Sequence, residues 1–463
     1  MSGMPFALTA GEMATAFGGV LAHGPADRSL PNVSIDTRTI APGDLFVAIR
    51  GPRFDGHAFV ADAVSRGAGG VVVSDAASVT STVVPTIVVD DTLRGLQEAA
   101  LVIRRLAGST VVAITGSAGK TTTKEIAATL LSRRFTTFRN RGNLNNHIGL
   151  PLSLFELRTA PDYAVVELGM SGFGEIRRLV TIAEPQVRVW TNVGEAHLGF
   201  FASVDQIAVA KQEILEEATA DQVFVANAGD ARVMARVPEF PGEVITFGVD
   251  VPADVAITNV RTRGFDGTTA RLSMRGEVRD ISTRLLGTPN LANIAAASAV
   301  ALHAGIAPDD IVDGVADLEP ASHRGEVVRT ASGWVVIDDA YNSSPSALVR
   351  ALQTLATTPG RHVAVLGEML ELGEFSERYH AECGKAAAQL GLGVVVAVGG
   401  APARALADAA IAAGAGDVHY VGDSAAGATL ARQLVRDGDA VLVKGSRGIR
   451  MEAVVTALTE GAR

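Results

Sequence analysis

The chain has 463 residues, 48% of them apolar and 19% charged, with a formal net charge of −10. That length exceeds what one core holds, so two or three domains are expected, and the apolar content excludes a disordered chain. The acidic balance excludes a globally basic surface for nucleic acid, and the single cysteine, Cys383, excludes an internal disulfide or a multi-cysteine zinc site.

Met1 to Gly19 lacks a basic start followed by an apolar core, so no secretory signal is expected. The Ala-rich stretch Ala292–Ala304 follows Pro289 and is broken by Asn293 and His303, which reads as a helix outside the membrane. The expected compartment is the cytoplasm, with no membrane span.

In chain order, the first section (1–107) carries strands over Asp44–Ile49 and Gly70–Ser74 and helices over His57–Arg66 and Leu93–Leu106. The second (108–319) opens with Val111–Thr115, an apolar strand followed at once by glycines and a helix. Tyr163–Leu168, Val187–Asn192, Gln222–Ala226 and Val244–Phe247 repeat strand and crossover, the pattern of a parallel sheet with helices on both faces. From Val255 to Leu286 short alternating runs such as Ala270-Arg-Leu-Ser-Met274 predict an antiparallel appendage, and a helix over Leu291–Ala304 closes the section. The third (320–463) returns to alternation, with strands over Val335–Asp338, Val363–Leu366, Val394–Val398 and Val441–Val443, and reads as a doubly wound, Rossmann-like domain. The fold class is therefore α/β in three domains.

Thr115-Gly116-Ser117-Ala118-Gly119-Lys120-Thr121-Thr122 lies between the strand and the helix. Glycines let backbone N–H groups approach phosphate oxygens, and a helix N-terminus adds positive potential. Lys120 would neutralise the β- and γ-phosphates, and the Thr121 hydroxyl would hold magnesium. The usual P-loop template places its first glycine where Ile114 stands, so this is a shortened variant. The competing reading is a glycine-rich turn with an exposed lysine.

Glu167 ends an apolar strand and His197 lies just past another, where ligands gather in open α/β sheets. Glu167 offers a hard oxygen suited to magnesium, whereas a histidine alone is more often structural. Ser203 with Gln206 predicts a capping box that starts a helix near Val204. On it Ile207, Lys211, Ile214 and Leu215 share one face, which puts a lysine in the inward stripe. Such a lysine either snorkels to water or is desolvated, with a neutral, reactive amine.

Taken together, these residues resemble the Mur ligases, which build the peptidoglycan stem peptide, over nearly the whole chain. Asp36-Thr37-Arg38, Pro42-Gly43-Asp44-Leu45-Phe46-Val47-Ala48 and Asp55-Gly56-His57 are similar to the family's uridine-side domain. The phosphate loop, Gly142-Asn143-Leu144-Asn145-Asn146, Glu167-Leu-Gly-Met, Asn192-Val-Gly-Glu-Ala-His197 and Ala210-Lys211 follow in family order. Asp338-Asp339-Ala-Tyr341-Asn342 and Lys444-Gly445-Ser446-Arg447 close the series. Leu366-Gly367-Glu368-Met369-Leu370-Glu371-Leu372-Gly373 resembles the branch that adds D-alanyl-D-alanine, and the Asp-Asn-Pro-Arg run of the branch adding the third residue does not occur.

The resemblance implies ATP, two magnesium ions, and the partners UDP-N-acetylmuramoyl-tripeptide and D-alanyl-D-alanine, in a monomer without nucleic acid. It implies that Gly116, Ser117, Ala118, Gly119, Lys120, Thr121 and Thr122 bind the nucleotide. Thr121 and Glu167 would serve one metal; His197 and Lys211, the latter carbamylated, would serve the other. Asn290 and Asn293 resemble adenine-side contacts, Arg324 a phosphate contact, and Asp339 and Tyr341 nucleotide contacts. Pro289 and Ser344 depart from the usual histidine and asparagine there. Asp36, Thr37, Arg38, Asn143, Asn145, Asn146, Asn342, Lys444 and Arg447 are implied substrate contacts. Their blander readings are a loop salt bridge for Asp36 and Arg38, turn formation for the asparagines, and solvated charges for Lys444 and Arg447. Two rival functions are an amide ligase with another amine donor and a non-catalytic nucleotide module. The Asn-Lys-x-Asp run of a guanine switch is absent.

Overall fold

Val394–Val398 is buried at every position, as a parallel strand covered on both faces must be. Runs of this kind organise the chain. The computed structural model describes residues 5–51, 54–79, 84–142 and 144–460. They fall into two compact units, one formed by the chain up to Ile114 with Arg134–Arg188, the other by Thr115–Arg133 with the chain from Val189 onward.

In the first unit a five-stranded sheet runs in the order Val20–His23, Thr86–Val88, Gly70–Val73, Leu45–Val47, Val33–Ser34. Only the first pair is antiparallel. Phe46, Val60, Ala63, Val71 and Val73 form its core. The helix expected over 57–66 is two pieces, a 3-10 turn Gly56–Phe59 and an α-helix Val60–Ser65. The turn arises because the Asp55 carboxylate accepts from His57 N–H and tightens the entry. Helix Thr92–Ala107 starts where Asp91 caps Leu93 and Arg94 and stops at Gly108, φ 67°. Three parallel strands follow, with Tyr163–Glu167 between Thr110–Thr115 and Thr137–Arg139.

In the second unit Val223–Asn227, Glu243–Val249 and Val255–Thr262 pair in parallel, and Thr268–Met274 and Glu277–Thr283 add the expected antiparallel appendage. The next helix runs Gly287–His303, four residues earlier than its apolar pattern suggests. Pro289 sits in its first turn, where a missing N–H removes no helical bond. The last sheet has the order Glu326–Arg329, Val335–Asp339, Asp439–Lys444, Arg361–Gly367, Val394–Val398, Val418–Val421. All its pairs but the first are parallel, which brings Asp339, Lys444 and Gly367 to one rim. Val336, Val363, Val396, Val441 and Met451 fill its core, and Trp334 Nε1–H donates to Leu458 O at 3.0 Å, tying down the final helix. Among the described residues no helix is long and apolar enough to cross a membrane.

Candidate active site at the phosphate loop

Strand Thr110–Thr115 ends and helix Lys120–Leu131 begins four residues apart, with φ 150° at Gly116 and 82° at Gly119. A Cβ on Gly116 would meet Thr191 Oγ1 at 1.9 Å, and one on Gly119 would meet Asn293 Oδ1 at 2.3 Å. Both positions therefore require glycine. The segment Thr191–Gly194 clamps the turn. Ser117 N–H donates to Asn192 O (3.0 Å), Ala118 N–H to Asn192 Oδ1 (2.9 Å), and the Thr191 hydroxyl to Ala118 O (2.6 Å). Two loop amides are thus committed internally. The helix that begins at Lys120 adds the positive potential of its N-terminus at the end of the glycine turn. Lys120 Nζ folds back to Gly116 O at 2.8 Å.

Helix Val204–Gln212 begins at the expected residue, with Ser203 Oγ accepting Gln206 N–H at 3.3 Å. The reciprocal arm goes instead to Ala202, whose N–H donates to Gln206 Oε1 at 2.9 Å. Ile207 and Lys211 are 0% and 1% exposed. Beyond Gln212 the chain tightens into a 3-10 turn, Glu213–Leu215, which buries Glu213 and Ile214 and leaves Leu215 only partly covered.

His197 lies near Lys211 in space and has left-handed backbone, φ 67°. Its Nδ1 is 2.5 Å from Glu371 Oε2. Burial lowers the imidazole's proton affinity, the Glu371 bond opposes that, and the positive fields of Lys120 and Lys211 add to the lowering. Glu371 is held below the usual carboxylate range, first by its bond to His197 and also by Lys120. Lys120, His197 and Lys211 therefore share one neighbourhood. The Glu371 carboxylate lies among these basic groups, bonded to His197 and within the field of Lys120.

In the first unit Glu167 is 3% exposed and pairs in register with Ile114, the residue before the loop. Asn145 Nδ2–H donates to Glu167 Oε1 at 2.7 Å, and Glu167 N–H donates to Asn140 Oδ1 at 3.1 Å. Asn146 Oδ1 accepts the N–H groups of Ile148 and Gly149, opening a short helix. Asn143 lies outside the described residues. Arg38 pairs with Asp36 at 2.6 Å in its own loop and holds that carboxyl down at about 2, while Thr37 bonds Asp62. No three His, Cys, Asp or Glu side chains gather into a metal cage among the described residues. The Glu167 carboxylate in the first unit is a hard oxygen of the kind magnesium takes, and so, separately, is the Thr121 hydroxyl in the second.

The last sheet's rim adds a second cluster. Arg324 Nη2–H donates to Thr121 Oγ1 at 3.1 Å, and its guanidinium lies 4.1 Å from the Tyr341 ring centroid. Lys444 is buried, donating to Asp339 Oδ2 at 2.6 Å and to Asn342 O at 2.9 Å, so it is not a solvated charge. Arg447 is exposed, 5.4 Å from the same Tyr341 ring. Asn293 Oδ1 accepts the Thr123 hydroxyl at 3.2 Å, and its Nδ2–H reaches Asn290 Oδ1 at 3.4 Å, so this pair braces the loop helix. Sequence reading passed over Asn192 as a clamp and Glu371 as a partner of His197. Both lie within the motif runs, but neither has a periodicity that marks its contact. Replacing Lys444 by alanine leaves Asp339 without its cation and should destabilise the protein by about 3 kcal/mol. A urea midpoint equal to wild type would refute that.

The chain matches three family models: Mur ligase family, catalytic domain, over residues 30–115; Mur ligase middle domain over 114–301; and Mur ligase, glutamate ligase domain, over 323–447. It is 36% identical over 440 residues to the UDP-N-acetylmuramoyl-tripeptide–D-alanyl-D-alanine ligase of Escherichia coli (strain K12), covering 94% of this chain and 95% of that protein. Its structure resembles MurF from Acinetobacter baumannii with TM-score 0.90 and 32% identity, over 99% of this chain and 100% of that one. It also resembles the MurF ligase from Thermotoga maritima in complex with ADP, with TM-score 0.83 and 29% identity over 93% and 97% of the two chains. The chain belongs to the Mur ligase family.

Proposed function

We propose that this protein is an ATP-dependent ligase that joins UDP-N-acetylmuramoyl-tripeptide to D-alanyl-D-alanine, giving UDP-N-acetylmuramoyl-pentapeptide, ADP and phosphate in peptidoglycan synthesis. The observation that carries this reading is the gathering of Lys120, His197 and buried Lys211 beside the glycine turn. A polyphosphate and a carboxylate are the anions such a cluster suits. The named activity of the relatives supports the choice of dipeptide as donor. On this reading residues 1–107 hold the uridine nucleotide, 108–319 hold ATP, and 320–463 receive the dipeptide.

A carboxylate and an amine do not condense in neutral water, because hydroxide is a poor leaving group. The tripeptide carboxylate attacks the γ-phosphorus, ADP departs, and an acyl phosphate forms. The dipeptide amine then attacks its carbonyl carbon; phosphate leaves and the amine gives up a proton. Lys120 offsets the repulsion between carboxylate and triphosphate, and Arg324, held on Thr121 and Tyr341, adds a second cation. Thr121, Glu167, His197 and Lys211 are the residues that would hold magnesium, which supplies charge neutralisation at the phosphates. For Lys211 that role requires its amine to add to carbon dioxide with loss of a proton. The resulting carbamate is an oxygen ligand of the kind magnesium takes. Phosphate release with UDP-N-acetylmuramoyl-tripeptide should depend on D-alanyl-D-alanine. Equal release with single amino acids would overturn the donor assignment.

A further inference from the structure

Two turns meet at His197. The turn Gly373–Phe375 and the turn Leu198–Phe200 approach so closely that a Cβ on Gly199 would meet Gly373 N at 2.8 Å, and one on Gly373 would meet Gly199 Cα at 2.8 Å. Gly199 N–H donates to Glu371 O at 2.7 Å. On either side of this glycine contact stands a non-glycine residue in left-handed backbone, His197 at φ 67° and Glu371 at φ 63°. Such a conformation is strained for a non-glycine residue and persists only where surrounding contacts hold it. Here the strained pair is joined side chain to side chain, Nδ1 to Oε2, at 2.5 Å.

An ionised carboxylate can only accept, so Nδ1 carries the proton and the imidazole lone pair is fixed on Nε2. We propose that Glu371 is a positioning residue: the backbone lock between Gly199 and Glu371 carries its carboxylate to Nδ1, so that His197 presents Nε2 toward the Lys120–Lys211 cluster only while the two turns are docked. The inference rests on the proposed role of His197. Carboxylates that orient a working histidine through its other nitrogen act in this way at many sites.

Glycine suits φ 63°, so Glu371→Gly removes the carboxylate without straining the turn, and Glu371→Gln keeps an acceptor oxygen. Nitrogen NMR of the unliganded protein should show His197 as the Nδ1–H tautomer in wild type and Glu371→Gln. In Glu371→Gly the tautomers should mix. The glycine variant should lose about 10–100-fold in kcat with little change in the KM for ATP, and the glutamine variant should recover most of it. An unchanged tautomer and kcat in Glu371→Gly would overturn the proposal. His197→Ala separates it from the underlying reading. An active His197→Ala enzyme sinks the role of the histidine itself, whereas an inactive one beside a fully active Glu371→Gly sinks the positioning role alone.

Discussion

Lys211→Ala is expected to abolish turnover, with kcat falling about 10³-fold, and a short-chain carboxylic acid in the buffer should restore part of it. The lysine is fully buried on the inward face of its helix, and its charge is felt at His197. In the proposed carbamate form Lys211 would present an anion to Lys120 and His197. On the proposed carbamate role, removing it would strip an oxygen ligand from the phosphate-transfer site, the class of loss that costs about 10²–10³-fold or more. Truncation also leaves a cavity that destabilises the protein by about 2–5 kcal/mol. Lys211→Met fills the space without an amine and isolates the chemical loss. A small acid can enter the cavity of the alanine variant and supply the missing oxygens, but it has no room beside methionine. Full activity in unrescued Lys211→Ala would refute the ligand role.

Lys120→Ala should lower kcat by about 10²–10³-fold, because the ammonium stabilises charge that develops as the γ-phosphoryl moves. Its side chain is already folded over the turn onto Gly116 O, so little reorganisation precedes the reaction. Lys120→Arg should not restore the rate. A planar fork cannot occupy the space of a compact ammonium packed against that carbonyl. Calorimetric titration with ADP should show a much smaller change than kcat, since the helix N-terminus remains. A kcat within twofold of wild type would remove Lys120 from the mechanism.

Much of this arrangement is written in local pattern. The apolar strand, the glycines and the helix announce the phosphate turn, and the spacing of Ile207 and Lys211 places the lysine inward, where it lies. The strands of the last sheet follow from runs such as Val394–Val398, because burial on both faces demands continuous apolar residues. What local pattern does not carry is pairing over long distances. Nothing near Asn192 specifies that its amide clamps Ala118, and nothing near Lys444 specifies Asp339, 105 residues away. Helix starts also moved where one residue outweighed the pattern, as at Pro289, and the 3-10 turn at Glu213–Leu215 arose where an α-helical stripe was expected.

The partner of His197 lies 174 residues further along the chain. At about 5–20 residues per second a ribosome needs roughly 10–35 s to travel between them. A nascent chain thus finishes its glycine turn and its imidazole well before the carboxylate that orients that ring has been translated. Competence for the reaction arrives late in synthesis, because the glycine turn and the Glu371 carboxylate belong to one compact unit whose last part is translated long after its first.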